Sequence, residues 1–181
     1  MKKIGIFYGT EAGTTHAIAE VLYRLLGDDI ADKPVNVSRA RPGELMRYDA
    51  IIAGTPSYGI GELPGRSTGS HEGNWEEFLF RLDEPDLKGK RVALFGLGNQ
   101  VKYHDRFASS LIHVYRFFRG YGAEIIGPWS TEGYHFNHSH AVLENMFVGL
   151  VIDHNNQPTL TKERIVTWLE QIKPKLLEKL Q

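Results

Sequence analysis

Cysteine is absent from the 181 residues of the chain. Disulfides, iron–sulfur ligation, zinc sites built on cysteine and thiol catalysis are therefore excluded, and any redox role requires a bound cofactor. Long apolar runs and a secretory signal pattern are also missing, so we expect a cytoplasmic protein without membrane contacts. An excess of one charge is missing as well, because Lys and Arg (21) nearly balance Asp and Glu (22), and we expect no nucleic-acid partner.

The first fifteen residues have two interpretations. Residues 4–8 form a short apolar, β-prone run, and residues 9–15 (GTEAGTT) precede an amphipathic helical pattern. A small, hydroxyl-rich loop at a helix N-terminus can hold a phosphate on free backbone N–H groups. The loop has no Lys or Arg, and it lacks both the Gly-Lys-Ser/Thr ending of nucleotide triphosphatases and the dinucleotide pattern G-x-G-x-x-G. A single terminal phosphate and an ordinary turn with threonine caps fit these residues equally well.

Strands and helices are predicted to alternate along the chain. The predicted strands cover residues 4–8, 34–37, 50–54, 91–95, 123–126 and 147–152, the last two being parts of one strand. The first predicted helix ends at Leu26, and the next two cover residues 42–46 and 75–82. The fourth contains an apolar stripe of Phe107, Leu111, Val114 and Phe118, and the last covers residues 161–180 with a kink at Pro174. This order predicts a doubly wound α/β fold whose parallel sheet has helices on both faces. With 41% hydrophobic residues, we expect a single domain over residues 1–181.

Three loops are candidates for a shared ligand site. Ligands of doubly wound sheets bind beyond the carboxyl ends of the strands, and the loops after the first, third and fourth predicted strands lie at that edge. Each loop is rich in Gly and turn residues, and residues 55–74 form a longer connection than is usual in compact domains. We therefore expect the three loops to converge on one ligand.

Three segments resemble, in order and spacing, the flavin-binding loops of the flavodoxin family. They are residues 10–15 (TEAGTT), 54–65 (GTPSYGIGELPG) and 95–103 (FGLGNQVKY). Residues 127–146 resemble the insertion in the fifth strand of long-chain flavodoxins, and residues 63–75 resemble the form associated with nitrogen fixation. The resemblance covers nearly the whole chain and implies a flavodoxin-like five-stranded parallel sheet with the strand order 2-1-3-4-5.

The resemblance implies noncovalent FMN and one-electron transfer. Tyr58 and Tyr103 match the residues on the inner and outer faces of the flavin, and two aromatic side chains suit a planar ring. The Gly59–Ile60 peptide matches the one that flips in the family when the flavin takes its first electron. The positions that match the phosphate loop are Thr10, Glu11, Ala12, Gly13, Thr14 and Thr15. The other cofactor-binding positions are Thr55, Pro56, Ser57, Gly61, Gly96, Leu97, Gly98, Asn99, His104 and Phe107.

Three residues depart from the family pattern near the expected cofactor. Ala12 stands where a threonine is usual, so the phosphate loses one hydroxyl. Asn99 replaces a common aspartate and Lys102 a frequently small residue, and both make the surroundings of the flavin less negative. We expect weaker phosphate anchoring and a less reducing low-potential couple than in acidic relatives. The near-neutral chain itself is a further departure, because flavodoxins are typically strongly acidic.

A low-potential electron carrier is the leading functional hypothesis. It would be a monomer without catalytic residues, and a flavodoxin reductase or other donor and acceptor redox enzymes would dock transiently. The alternatives are an FMN-dependent NAD(P)H quinone or nitro-compound reductase and a flavin-free binding module. A phosphotransfer receiver domain needs clustered aspartates after the first strand, which Tyr8-Gly9-Thr10 does not provide. His135, His138 and His140 lack the carboxylates or cysteines of a metal site, so no metal is expected.

Overall fold

The chain forms a parallel sheet between two layers of helices, and the computed structural model describes residues 3–56 and 60–178. The strands are β1 Gly5–Tyr8, β2 Val35–Asn36, β3 Ala50–Thr55, β4 Arg91–Leu97, β5 Glu124–Ile126, β6 Trp129–Ser130, β7 Val142–Leu143, β8 Met146–Phe147 and β9 Leu150–Ile152. The α-helices are α1 Thr14–Leu26, α2 Pro42–Met46, α3 Trp75–Leu82, α4 Leu111–Gly120 and α5 Thr161–Leu177. Short 3₁₀ helices cover Arg66–Thr68 and Pro158–Leu160.

The strand order is β2-β1-β3-β4-β5, and all these pairs are parallel, as the sequence predicts. Successive residues of a strand point to opposite faces. In β3, Ile51 and Ala53 therefore join the core beneath α3 and α4, whereas Ala50 and Ile52 join the core beneath α1 and α5. Both faces of the sheet are covered, which explains why β3 is buried along its whole length.

The fifth strand is interrupted, as expected. β5 pairs with the first part of β4 and β9 with its last part, so the two pieces occupy one edge position. Between them β6, β8 and β7 form a small antiparallel sheet. The prediction that the fifth strand resumes at residue 147 is wrong, because Glu144 and Asn145 have positive φ angles of 52° and 66° and form a hairpin turn that places Met146–Phe147 in the insertion.

Tyr134 fastens the insertion to the main sheet. Its buried hydroxyl donates to the carbonyl oxygen of Val151 in β9 and accepts a hydrogen bond of 3.0 Å from Trp129 Nε1. The Arg164 guanidinium lies 3.9 Å from the centre of its ring. Burial raises the pKa of Tyr134 to about 12, so the phenol keeps its proton as a donor even at a pH where an exposed tyrosine ionises.

Besides one-residue differences in β1, β2, β3 and β5, three further predicted element boundaries differ from the structure. α4 begins at Leu111 and excludes Phe107, because Ala108 between them has a φ of 51°, which an α-helix cannot contain. β4 continues to Leu97, two residues beyond its predicted end. α5 runs across Pro174 and ends at Leu177, and the kink at Pro174 stays a prediction. In the described ranges, none of the helices has the length and apolar character to span a membrane.

Candidate flavin-binding site

The loop between β1 and α1 presents an open helix N-terminus. Gly13 takes the left-handed conformation, with φ of 90°, and its N–H donates to Thr10 Oγ1 over 3.0 Å. In the described part of the chain, no side chain caps α1, and its first turn contains no acidic residue. The N–H groups of this turn and the positive end of the helix dipole are therefore available to an anion.

Thr15 supplies a donor that this structure does not use. Its side chain is fully buried in the first turn of α1, and its Oγ1 has no hydrogen-bond partner among the described residues. The other such hydroxyls in these residues, those of Ser38 and Ser110, lie outside the three predicted loops. An unpaired buried hydroxyl costs about 1–3 kcal/mol, and an oxygen of a bound phosphate would satisfy it. The loop therefore fits the phosphate end of FMN.

Asn74 connects this loop to the start of α3. It is buried, its Nδ2 donates to the carbonyl oxygen of Thr10 over 3.4 Å, and its Oδ1 caps α3 by accepting from Trp75 N. Gly9 leaves the space for it, since an added Cβ would lie 1.9 Å from Asn74 Oδ1. Trp75 Nε1 donates to the carbonyl oxygen of Gly54 over 2.8 Å. Sequence reasoning missed Asn74, although an Asn three residues before Glu77 is an N-cap signal.

Two glutamates of α3 fix the long segment that precedes this helix. Glu77 accepts hydrogen bonds from the backbone N–H groups of Arg66 (2.7 Å) and Asn74 (2.8 Å), and Glu76 accepts from Ser67 N (3.1 Å). Partial burial alone would raise the pKa of Glu77, but these N–H donors outweigh it and hold the pKa below its usual value. The downstream part of the long loop is thus held by the helix that follows it.

The loop after β4 lines a cleft of about 250 Å³. This cleft brings Tyr103 and Lys102 together with Thr14 of the first loop. The Lys102 ammonium lies over the Tyr103 ring, 5.2 Å from its centre. The remaining lining residues are Leu97, Gly98, Asn99, Ile152, His154 and Asn155. Two of the three predicted loops therefore meet in one cleft, at the carboxyl edge of the sheet.

The segment after β9 forms a further wall, which sequence reasoning missed. Asn99 Oδ1 accepts hydrogen bonds from Lys102 N (2.9 Å) and from Asn156 Nδ2 (2.8 Å). Beneath it, the buried Asp153 accepts from Gln100 N (2.9 Å) and from Asn156 Nδ2 (2.9 Å). The signal that could have found this segment is its place after the second half of the fifth strand, at the same sheet edge as the loop after β4.

Several predicted site residues do not line the cleft beside Tyr103. The Phe107 side chain is fully buried and contacts Tyr134, Phe136 and Phe147, so it supports the loop from below and offers no surface to a ligand. His104 is exposed and lies against Asp105 and Asn137. Other predicted positions are buried (Thr55, Pro56, Gly61 and Gly96) or exposed (Glu11, Ala12 and Ile60). Ser57, Tyr58 and Gly59 lie outside the described residues.

A larger cavity lies away from the cleft beside Tyr103. A groove of about 730 Å³ lies between α3 and α4, and Leu79, Phe80, Phe117 and Tyr121 supply much of its lining. None of the predicted site residues that the structure describes lines it. Residues 3–56 and 60–178 contain no group of three histidine or acidic side chains placed to hold a metal ion.

The fold and the site define a doubly wound α/β protein whose first loop leaves the N-terminus of α1 open to an anion. The Flavodoxin family model matches residues 6–168. A flavodoxin of Klebsiella pneumoniae is 44% identical over 177 residues, covering 98% of this chain and 100% of that protein. A flavodoxin of Synechocystis is 40% identical over 174 residues, covering 96% of this chain and 98% of that protein. The solved structure of Fusobacterium nucleatum flavodoxin bound to flavin mononucleotide has a TM-score of 0.85 and 34% identity, covering 97% of this chain and 99% of that chain. This chain belongs to the flavodoxin family.

Proposed function

We propose that this chain binds FMN noncovalently and carries single electrons between redox enzymes. The observation that carries the proposal is the unpartnered hydroxyl of Thr15, buried at the open N-terminus of α1. Thr14, in the same turn, lines the cleft that also holds Tyr103. Membership of the flavodoxin family and the FMN in the Fusobacterium nucleatum structure support it. When bound, FMN supplies reversible one-electron chemistry, and the protein supplies binding and tuning.

The residues of the chain divide between the two ends of the cofactor. The phosphate would be held by Thr10, Thr14, Thr15 and the N–H groups of the loop, and none of these donors carries a formal positive charge. Tyr103 would cover one face of the ring and exclude water from it, and Tyr58 matches the residue on the other face. Lys102 and Asn99 would set the charge beside the ring. None of these roles requires a catalytic acid, base or nucleophile.

The test is to titrate the purified apoprotein with FMN and with riboflavin, which lacks the phosphate. We expect a yellow one-to-one complex with FMN and much weaker binding of riboflavin. Thr15→Val removes the hydroxyl but keeps the shape, so it should weaken FMN binding roughly tenfold or more and leave riboflavin binding nearly unchanged. A wild-type protein that binds no FMN would refute the proposal.

Electron transfer itself needs a second measurement. The FMN-loaded protein should accept electrons from a flavodoxin reductase and pass them to an acceptor enzyme, while NADPH alone should reduce it slowly. Rapid reduction by NADPH alone would favour a quinone or nitro-compound reductase of the same fold. We further propose that residues 1–181 act as one domain and as a cytoplasmic monomer with transient partners. The resemblance to the nitrogen-fixation form stays a prediction.

A further inference from the structure

His113 of α4 holds the loop that follows β3. Its Nε2 lies 2.9 Å from the carbonyl oxygen of Gly61. A carbonyl oxygen only accepts hydrogen bonds, so Nε2 carries the proton and donates it. Gly61 is buried and has a φ of 73°, and a Cβ at this position would lie 3.0 Å from Ser109 Cβ. The loop therefore lies close against the start of α4 and is tied to it by one imidazole.

The hydrogen bond from His113 to Gly61 is the one found at residues 60–62, the first residues that the structure describes after Pro56. Among bonds whose two partners are described, no other involves Ile60, Gly61 or Glu62. The next anchors along the chain are the carbonyl oxygen of Leu63, which accepts from Thr68 Oγ1 over 2.9 Å, and that of Pro64, which accepts from Glu76 N over 2.9 Å. Ile60, next to Gly61, is 52% exposed and gains little from packing. The His113 side chain therefore supplies the hydrogen bond that holds residues 60–62 ahead of the anchor at Leu63.

We propose that His113 is a positioning residue that sets the placement of residues 60–62 against bound FMN. This inference rests on the proposed function. β3 ends at the same sheet edge as β1, which the phosphate loop follows. Ile60 belongs to the peptide that matches the redox-sensitive one of the family. Through this hydrogen bond to Gly61, the imidazole would affect FMN affinity and the relation between its two potentials.

The test compares His113→Leu, which has no donor, with His113→Gln, whose Nε2 amide can donate from a similar place. We expect His113→Leu to raise the Kd for FMN roughly two- to tenfold, as the loss of one net hydrogen bond would. The two one-electron potentials should shift by unequal amounts of about 20–60 mV. This range corresponds to a two- to tenfold change in affinity at about 59 mV per decade. His113→Gln should restore most of both effects.

His135→Leu is the matched control, because it removes an exposed imidazole from the insertion. It should leave the Kd and both potentials unchanged. Wild-type Kd and potentials in His113→Leu, or a His113→Gln variant as impaired as His113→Leu, would overturn the inference. A change of thermal stability with no change in Kd or in the potentials would overturn it too. A wild-type protein that binds no FMN would instead refute the proposed function, so the two failures are distinguishable.

Discussion

Replacing Asn99 with Asp should lower both midpoint potentials of the FMN-loaded protein, and the second more than the first. Asn99 Oδ1 accepts from Lys102 N and from Asn156 Nδ2, and one oxygen of a carboxylate can accept from both donors. The loop should therefore keep its shape. The main change is one added negative charge beside the cleft, and each electron that the flavin gains makes that charge more unfavourable.

The magnitude follows from Coulomb's law. One charge at about 6 Å with an effective dielectric near 20 contributes on the order of 3 kcal/mol, or roughly 120 mV for one electron, as an upper figure. The Lys102 ammonium, over the Tyr103 ring, can offset part of the new charge. We therefore expect a fall on the order of 30–100 mV in the second potential and a smaller fall in the first.

The assay is a potentiometric titration monitored by the visible spectrum, with Lys102→Gln as the companion variant. Lys102→Gln removes a positive charge from the same place, so it should also lower both potentials. Both shifts should shrink at high ionic strength, because salt screens partly exposed charges. If Asn99→Asp binds FMN and yet has both wild-type potentials, the electrostatic reasoning is refuted.

Two further substitutions test the phosphate loop and the insertion. Ala12→Thr should tighten FMN binding roughly tenfold or more in a fluorescence titration, because a hydrogen bond to a charged group contributes about 1.5–3 kcal/mol, and an unchanged Kd would contradict this. Tyr134→Phe should lower the free energy of unfolding in urea by about 1–3 kcal/mol, because the buried carbonyl of Val151 loses its donor. The raised pKa of Tyr134, about 12 when folded against 10 when unfolded, gives stability that is complete below pH 10 and is lost as the pH rises toward 12. The wild type should therefore lose up to about 1.4 kcal/mol per pH unit more than Tyr134→Phe in this window, and equal slopes would contradict the assignment.

Local patterns predicted most of the fold. The bounds of α2 and α3 agree with the prediction, because helix signals such as Pro at the first position and the stripe of α3 depend on neighbouring residues only. The start of α4 was wrong because Phe107 continues the apolar period of that helix. Its ring instead packs against Phe136 and Phe147 of the insertion, about 30 to 40 residues further along the chain. A helical pattern cannot reveal a contact with residues so distant in sequence.

The candidate site was predictable where it depends on the ends of β1 and β4. Thr14 and Tyr103 each follow a strand closely, and the topology alone brings them to one edge. Asn74, His113 and Asn156 were missed because each acts through a hydrogen bond to a distant loop. The N-cap pattern of Asn74 and the place of Asn156 after the fifth strand were usable signals, but neither identifies the distant partner, and the lone His113 carries no such signal.

Affinity and potential should be separable in this chain, because the proposed function assigns different residues to the two ends of the cofactor. The phosphate keeps the same chemistry in every redox state, so Ala12→Thr should tighten each state equally and leave both potentials unchanged. Asn99 lies at the cleft beside Tyr103, where the ring gains charge, so its substitution should act on the potentials. If Ala12→Thr moved the potentials as far as Asn99→Asp does, the two ends would be coupled through the protein and the division of roles would be wrong.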